Sequence, residues 1–97
     1  MLDLMDKKIS EKISKSALYE QLAEECAELA HACLKKARKI RGENPTPLDE
    51  VSIDKQVKEE WTDVLVCADV LGLDHSVDRY VEKKGRWVKR IEASEMD

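Results

Sequence analysis

Apolar residues recur at intervals of three and four along almost the whole chain, a rhythm that restricts it to packed helices. Leu2, Met5, Ile9 and Ile13 make a first short stripe. Leu18, Leu22, Cys26, Leu29 and Cys33 make a second, out of phase with the first by about half a turn. The phase change predicts a break between Ser14 and Ser16, with Ser16 as N-cap of a long second helix. That helix should run to about Arg41 and stop at Gly42, which suits a left-handed C-terminal cap. Gly42 to Pro47 reads as the one clear loop, and Thr46-Pro47-Leu48-Asp49 can start a short extra turn. Ile53, Val57, Trp61, Val64, Ala68 and Leu71 form the stripe of a third helix, capped by Ser52 and ended by Gly72. A fourth runs from about His75 to Ile91, with Val77, Tyr80, Val81, Trp87, Val88 and Ile91 as its less polar positions. The expected fold is all-α, four helices packing into a bundle.

Length and composition agree with this. Ninety-seven residues make a single domain, 1–97. Charged residues are 39% of the chain and aromatics 4%, with no Phe, a mix that favours helices over strands. A net charge of −4 argues against a generic nucleic-acid binder, which carries a basic excess. No apolar run approaches the roughly 20 residues that span a bilayer, so no membrane partner is expected. Met1 to Lys8 has acids and no apolar core of a signal peptide. The expected location is cytoplasmic, where Cys26, Cys33 and Cys67 would be reduced thiols. Cys26 and Cys33, one heptad apart, read as small buried hydrophobes.

From Val64 to Leu73 the third helix is apolar nearly all round, and such a helix must be covered on most sides. Val66 and Val70 lie opposite its main stripe and suggest a second buried surface. Four short helices struggle to supply that cover. The bundle is therefore expected to be completed as a homodimer, with this helix across the two-fold axis. Dimers could pair further into a tetramer.

Two carboxylate pairs carry the chemistry. Glu25 and Glu28 share one face of the second helix, and Glu60 and Asp63 share one face of the third. From the centre of each apolar stripe, the first acid lies about 60° away and the second about 120°. Both pairs flank a seam, so four carboxylates converge if the seams face one another. Two unit charges about 5 Å apart repel by roughly 3 kcal/mol at an effective dielectric near 20. A hard divalent cation relieves that repulsion, and all-oxygen ligation suits Mg²⁺ or Mn²⁺. Mg²⁺ keeps waters and meets substrate phosphates, which points to a phosphate ester or anhydride. An acid run on one helix alone would be an ordinary solvated face; two in matching positions are not.

Glu24-Glu25-Cys26-Ala27-Glu28, followed by Glu59-Glu60-Trp61-Thr62-Asp63, resembles the E-E-x-x-E and E-x-x-D signature of MazG-like pyrophosphohydrolases. The apolar stretch after Asp63 is similar to that family's pattern, and Arg86-Trp87-Val88-Lys89-Arg90 is loosely similar to a basic segment near its end. The likeness covers about 16–91. It implies a four-helix MazG-like fold, with Glu25, Glu28, Glu60 and Asp63 as Mg²⁺ ligands. The activity implied is hydrolysis of a nucleoside triphosphate to the monophosphate and pyrophosphate, in nucleotide-pool house-cleaning. Glu24, beside the ligands, is a possible general base but points about 160° from the seam. Arg86, Lys89 and Arg90 are candidate substrate contacts. Trp61 is a candidate base platform, or a core anchor, as aromatics on a seam more often are.

Two other readings remain. Glu28-Leu29-Ala30-His31 has the E-x-x-H spacing of di-iron carboxylate bundles, but His31 points away from the seam. A non-catalytic helical interaction module would leave the acids merely solvated. The cations from Lys35 to Arg41 are simplest as complements of a helix dipole, and His75 as a turn residue.

Overall fold

The computed structural model describes residues 4–42 and 49–96. These form four helices and, among the described residues, no strand: α1 (Leu4–Lys12), α2 (Lys15–Arg41), α3 (Glu50–Leu71) and α4 (Val77–Glu95). Leu2 and the expected turn at Thr46-Pro47-Leu48 lie outside the described residues.

Three helix starts differ from expectation. The cap of α2 is Ser14, whose hydroxyl accepts from the Ala17 amide at 3.2 Å. Ser16 is already helical and sits with its Oγ 3.4 Å from that of Ser14. Capping from Ser14 satisfies an orphan amide and adds residues to the helix, so it wins. The cap of α3 is Asp49 in place of Ser52, with Oδ1 accepting from the Ser52 amide at 2.7 Å. That backbone hydrogen bond holds the Asp49 carboxyl below its usual range. A carboxylate is a good cap because it also meets the positive end of the helix dipole. Ser76 caps α4, which begins at Val77 and continues past Ile91 to Glu95. Gly42 and Gly72 end α2 and α3 as expected, both left-handed at φ 69° and 74°.

α2 and α3 pack as an antiparallel hairpin, and α1 lies against α3. The inner seam alternates steps of four and three. It runs through Leu18, Leu22, Glu25, Leu29, Ala32 and Lys36 on α2, all buried or half-buried. On α3 it runs through Ile53, Val57, Glu60, Val64, Cys67 and Leu71, again buried or half-buried throughout. This corrects the stripes read from apolar residues alone. Cys26 and Cys33 are exposed, and Trp61 is 51% exposed. A charged residue in a seam costs desolvation, so the apolar reading passes over Glu25 and Glu60 to their apolar neighbours. The helical rhythm is kept at both carboxylates regardless.

The buried core is small: Leu18 and Val70 at one end of the hairpin, Ala32 and Ile53 towards the other. Val70, expected to face a partner, is covered by its own chain, where it lines a half-open pocket with Ser10, Ile13, Lys15, Leu18 and Leu71. Val66 is 52% exposed. Lys36 ties the two helices near the end of the hairpin where they are connected, reaching Glu50 at 2.9 Å and Asp54 at 2.8 Å. Its ammonium pKa is raised by hydrogen bonds to Asp54 first and Glu50 second.

α4 has no buried residue and no packed interface with another helix. The Cα radius of gyration is 17.7 Å, against about 12.5 Å for a compact chain of this length. The accessible surface is 8126 Å², where a folded monomer of 11.1 kDa exposes about 5,700 Å².

Candidate metal centre

Halfway along the hairpin, the seam exchanges hydrocarbon for carboxylate. Glu25 on α2 and Glu60 on α3 occupy seam positions, so packing the helices brings them together. Glu28 and Asp63 follow one turn later on each helix and therefore share a face with their partners. One oxygen from each of the four lies within 4.8 Å of the others. The four residues expected to converge do converge.

Burial is unequal within the group. Glu25 and Glu60 are half-buried, whereas Glu28 and Asp63 are exposed at the opening. Glu25 Oε1 accepts from Gln21 Nε2 at 2.7 Å. Glu25 Oε2 and Glu60 Oε2 are buried with no hydrogen-bond partner. A buried carboxylate oxygen without a donor is costly, and here two of them are left among like charges. The Glu28 carboxyl is pushed above its usual range, chiefly by the hydrogen bond and charge of Glu60. Glu28 therefore releases its proton at a higher pH than an isolated glutamate does.

The donor set is all hard oxygen and could hold a hard divalent cation. That suits Mg²⁺ or Mn²⁺ better than a softer metal. His31 is exposed and is not one of the converging groups, which leaves the E-x-x-H pair without its imidazole. Glu24 and Glu59 are exposed. His75 sits in the α3–α4 connection, its amide donating to Asp74 Oδ1 at 2.8 Å and its ring 5.8 Å from that of Tyr80.

The remaining candidates are not brought to this cluster by packing within one chain. Arg86, Lys89 and Arg90 are exposed on α4. Arg86 lies 3.9 Å from Glu82. Trp61 follows Glu60 directly and so lies about 160° around α3 from Asp63, on the other side of the hairpin.

Gln21 and Gln56 were not among the expected site residues. Each stands four residues before the first ligand-candidate acid of its helix, Gln21 before Glu25 and Gln56 before Glu60. Gln21 orients a carboxylate, and Gln56 Oε1 is buried without a partner one turn from Glu60. The repeated Q-x-x-x-E spacing was the available signal. Cys67, also on the seam, has its thiol pushed up by burial first and by the charges of Glu25 and Asp63 next. No protein-family model matches the chain, and no curated protein or solved structure matches it.

Proposed function

We propose that the chain is a Mg²⁺-dependent nucleoside triphosphate pyrophosphohydrolase of the MazG-like kind, working in the cytoplasm. The observation that carries this reading is four convergent carboxylates with two buried, unpartnered oxygens. A cation bound among these like charges would relieve their repulsion. Bound there, Mg²⁺ would lower the pKa of a coordinated water and offset the charge on the phosphates. Glu25, Glu28, Glu60 and Asp63 hold it, and Gln21 fixes the rotamer of Glu25. Water adds to phosphorus and the bond between the first and second phosphates breaks, giving the monophosphate and pyrophosphate. Arg86, Lys89 and Arg90 meet the phosphates once assembly draws α4 against a hairpin. Trp61 faces away from the opening, and we assign it to assembly instead.

The chain acts as a homodimer in this reading. Four buried side chains among the described residues are a slight core, and the surplus of exposed surface is what a partner would cover.

The test is incubation with a panel of canonical and modified nucleoside triphosphates and Mg²⁺ or Mn²⁺. Equimolar monophosphate and pyrophosphate are expected, with none in EDTA. Orthophosphate as the sole product, or no turnover of any nucleotide together with no Mg²⁺ binding by calorimetry, sinks the proposal. A second reading, a non-catalytic helical interaction module, is favoured by the uncovered apolar face of α4. It predicts a melting temperature indifferent to divalent metal.

A further inference from the structure

The side of the hairpin away from the carboxylates carries a second heptad. Tyr19, Ala23, Cys26, Ala30, Cys33, Ala37 and Ile40 follow one another on α2 at alternating steps of four and three. All but Ile40 stand one residue past an inner-seam position. The two helices are antiparallel with facing seams, so the residue after a seam position falls on the same flank of both. Glu28 and Asp63, each one residue before a seam position, meet on the opposite flank. On α3 the same flank holds the exposed Asp54 and Lys58, then Trp61, 51% exposed, and Leu65, 42% exposed. All of the α2 stripe is exposed except Ala37, which is half-buried. Among the described residues, nothing in a single chain covers it.

The stripe reads almost the same in both directions: large, Ala, Cys, Ala, Cys, Ala, large. A two-fold contact between antiparallel copies of one helix demands that symmetry, because each pairing occurs twice. With the axis beside Ala30, Tyr19 meets the partner's Ile40, Ala23 meets the partner's Ala37, and Cys26 meets the partner's Cys33. Ala30 then meets its own copy. Small side chains through the middle allow helix axes to approach at the near end of the usual 8–10 Å range. Trp61 lies within about one turn of the same midpoint, so two tryptophans would flank the axis. The surplus over a compact monomer is roughly 2,400 Å², shared between this flank and the unpacked α4, and a permanent interface takes about 1,000–2,500 Å² from each partner.

We propose that this flank is the interface with a second copy of the chain, α2 against α2, antiparallel about a two-fold axis beside Ala30. Each copy keeps its own carboxylate cluster, opening outward on the far side. The inference rests on the dimer reading above but not on the metal or the reaction.

Thiol crosslinking tests the register. In a Cys67→Ser background, mild oxidation should join most of the chain into a covalent pair, since facing cysteines fall within the roughly 7 Å Cα separation a disulfide needs. Adding Cys26→Ser or Cys33→Ser should each abolish the product. Co-refolding the two variants together should restore it, as one bond between unlike chains. A dimeric mass with no product in the mixture, or full crosslinking of either variant alone, overturns the register while leaving the dimer standing. A monomeric mass by light scattering overturns both. Ala30→Lys keeps a strong helix former on a face that is exposed in one chain. It should halve the mass with helicity unchanged; a variant that remains dimeric overturns the proposal.

Discussion

The α2–α3 hairpin and α4 start alike and end differently. Both α2 and α4 are capped by a serine whose hydroxyl accepts an amide at 3.2 Å. Of all the helices, α4 divides its apolar and polar faces most cleanly. Yet the hairpin packs along its whole seam, and α4 leaves Val77, Tyr80, Val81, Trp87, Val88 and Ile91 at least 50% exposed. The difference teaches what each kind of pattern specifies. An amphipathic helix announces that something must cover it. Two matched heptads, close together in the sequence, also say what the cover is.

The sharpest way to break the comparison is at the seam's carboxylates, because there function and packing oppose one another. Glu60→Gln removes one ligand charge while keeping nearly the same shape. Pyrophosphate release should fall by at least about 10²–10³-fold, the cost of removing even one neutral hydrogen-bond donor to a transition state. In EDTA the variant should melt at the same temperature as the wild type or higher, because repulsion in the cluster is reduced. Turnover near the wild-type rate would remove Glu60 from the site.

That substitution falls where apolar patterning misreads the fold. The all-α class, the glycine stops and the four carboxylates were legible because each depends on local spacing. The seam register was not. At Glu25 and Glu60 the fold keeps to heptad steps that burial energetics alone would reject, so an apolar reading slides to Cys26 and Trp61. Consistency across levels fails first where a site has been built into a packing surface. Ser16 and Ser52 were misassigned as caps for a plainer reason: Ser14 and Asp49 offer equivalent oxygens to amides three residues ahead. The absence of cover on α4 had no signal at all, since a stripe does not name its partner.

Core substitutions measure the same contrast in stability. Ile53 is fully buried, and Ile53→Ala should cost about 2–5 kcal/mol in a chemical melt. Val88 is 50% exposed on α4, and Val88→Ala should cost almost nothing if α4 stays uncovered. A loss for Val88→Ala that grows as the protein is concentrated would instead show α4 docking in an assembly.

Metal should act on the hairpin and leave α4 untouched. At a hundred times its dissociation constant, Mg²⁺ adds about 2.7 kcal/mol to a fold that alone binds it. The effect should depend on pH. Glu28 holds its proton more tightly folded than unfolded, so its contribution to metal-free stability is present at low pH and is lost as pH rises through its raised pKa. Mg²⁺ competes with that proton. The difference in melting temperature between Mg²⁺ and EDTA should therefore be full at neutral pH and shrink as the pH falls towards the ordinary carboxylate range. A difference independent of pH would separate Glu28 from the metal.

The smallest effect is also the cleanest comparison, because the two serine caps are chemically equal. Ser14→Ala and Ser76→Ala each delete one hydroxyl accepting from one amide, at the same distance. The local cost is the same for both, typically about 1 kcal/mol. What differs is the structure each helix is tied to. α2 carries half of the seam, so unravelling its first turn loosens Leu18 and the pocket around Val70. Ser14→Ala should therefore lower global stability by the full amount. α4 can fray without exposing any residue that the single chain had buried. Ser76→Ala should thus speed amide exchange along α4 and leave the global transition where it was. Equal losses for the two variants would mean that α4 unfolds together with the hairpin. In that case its apolar face is already covered, and the cover comes from a second chain.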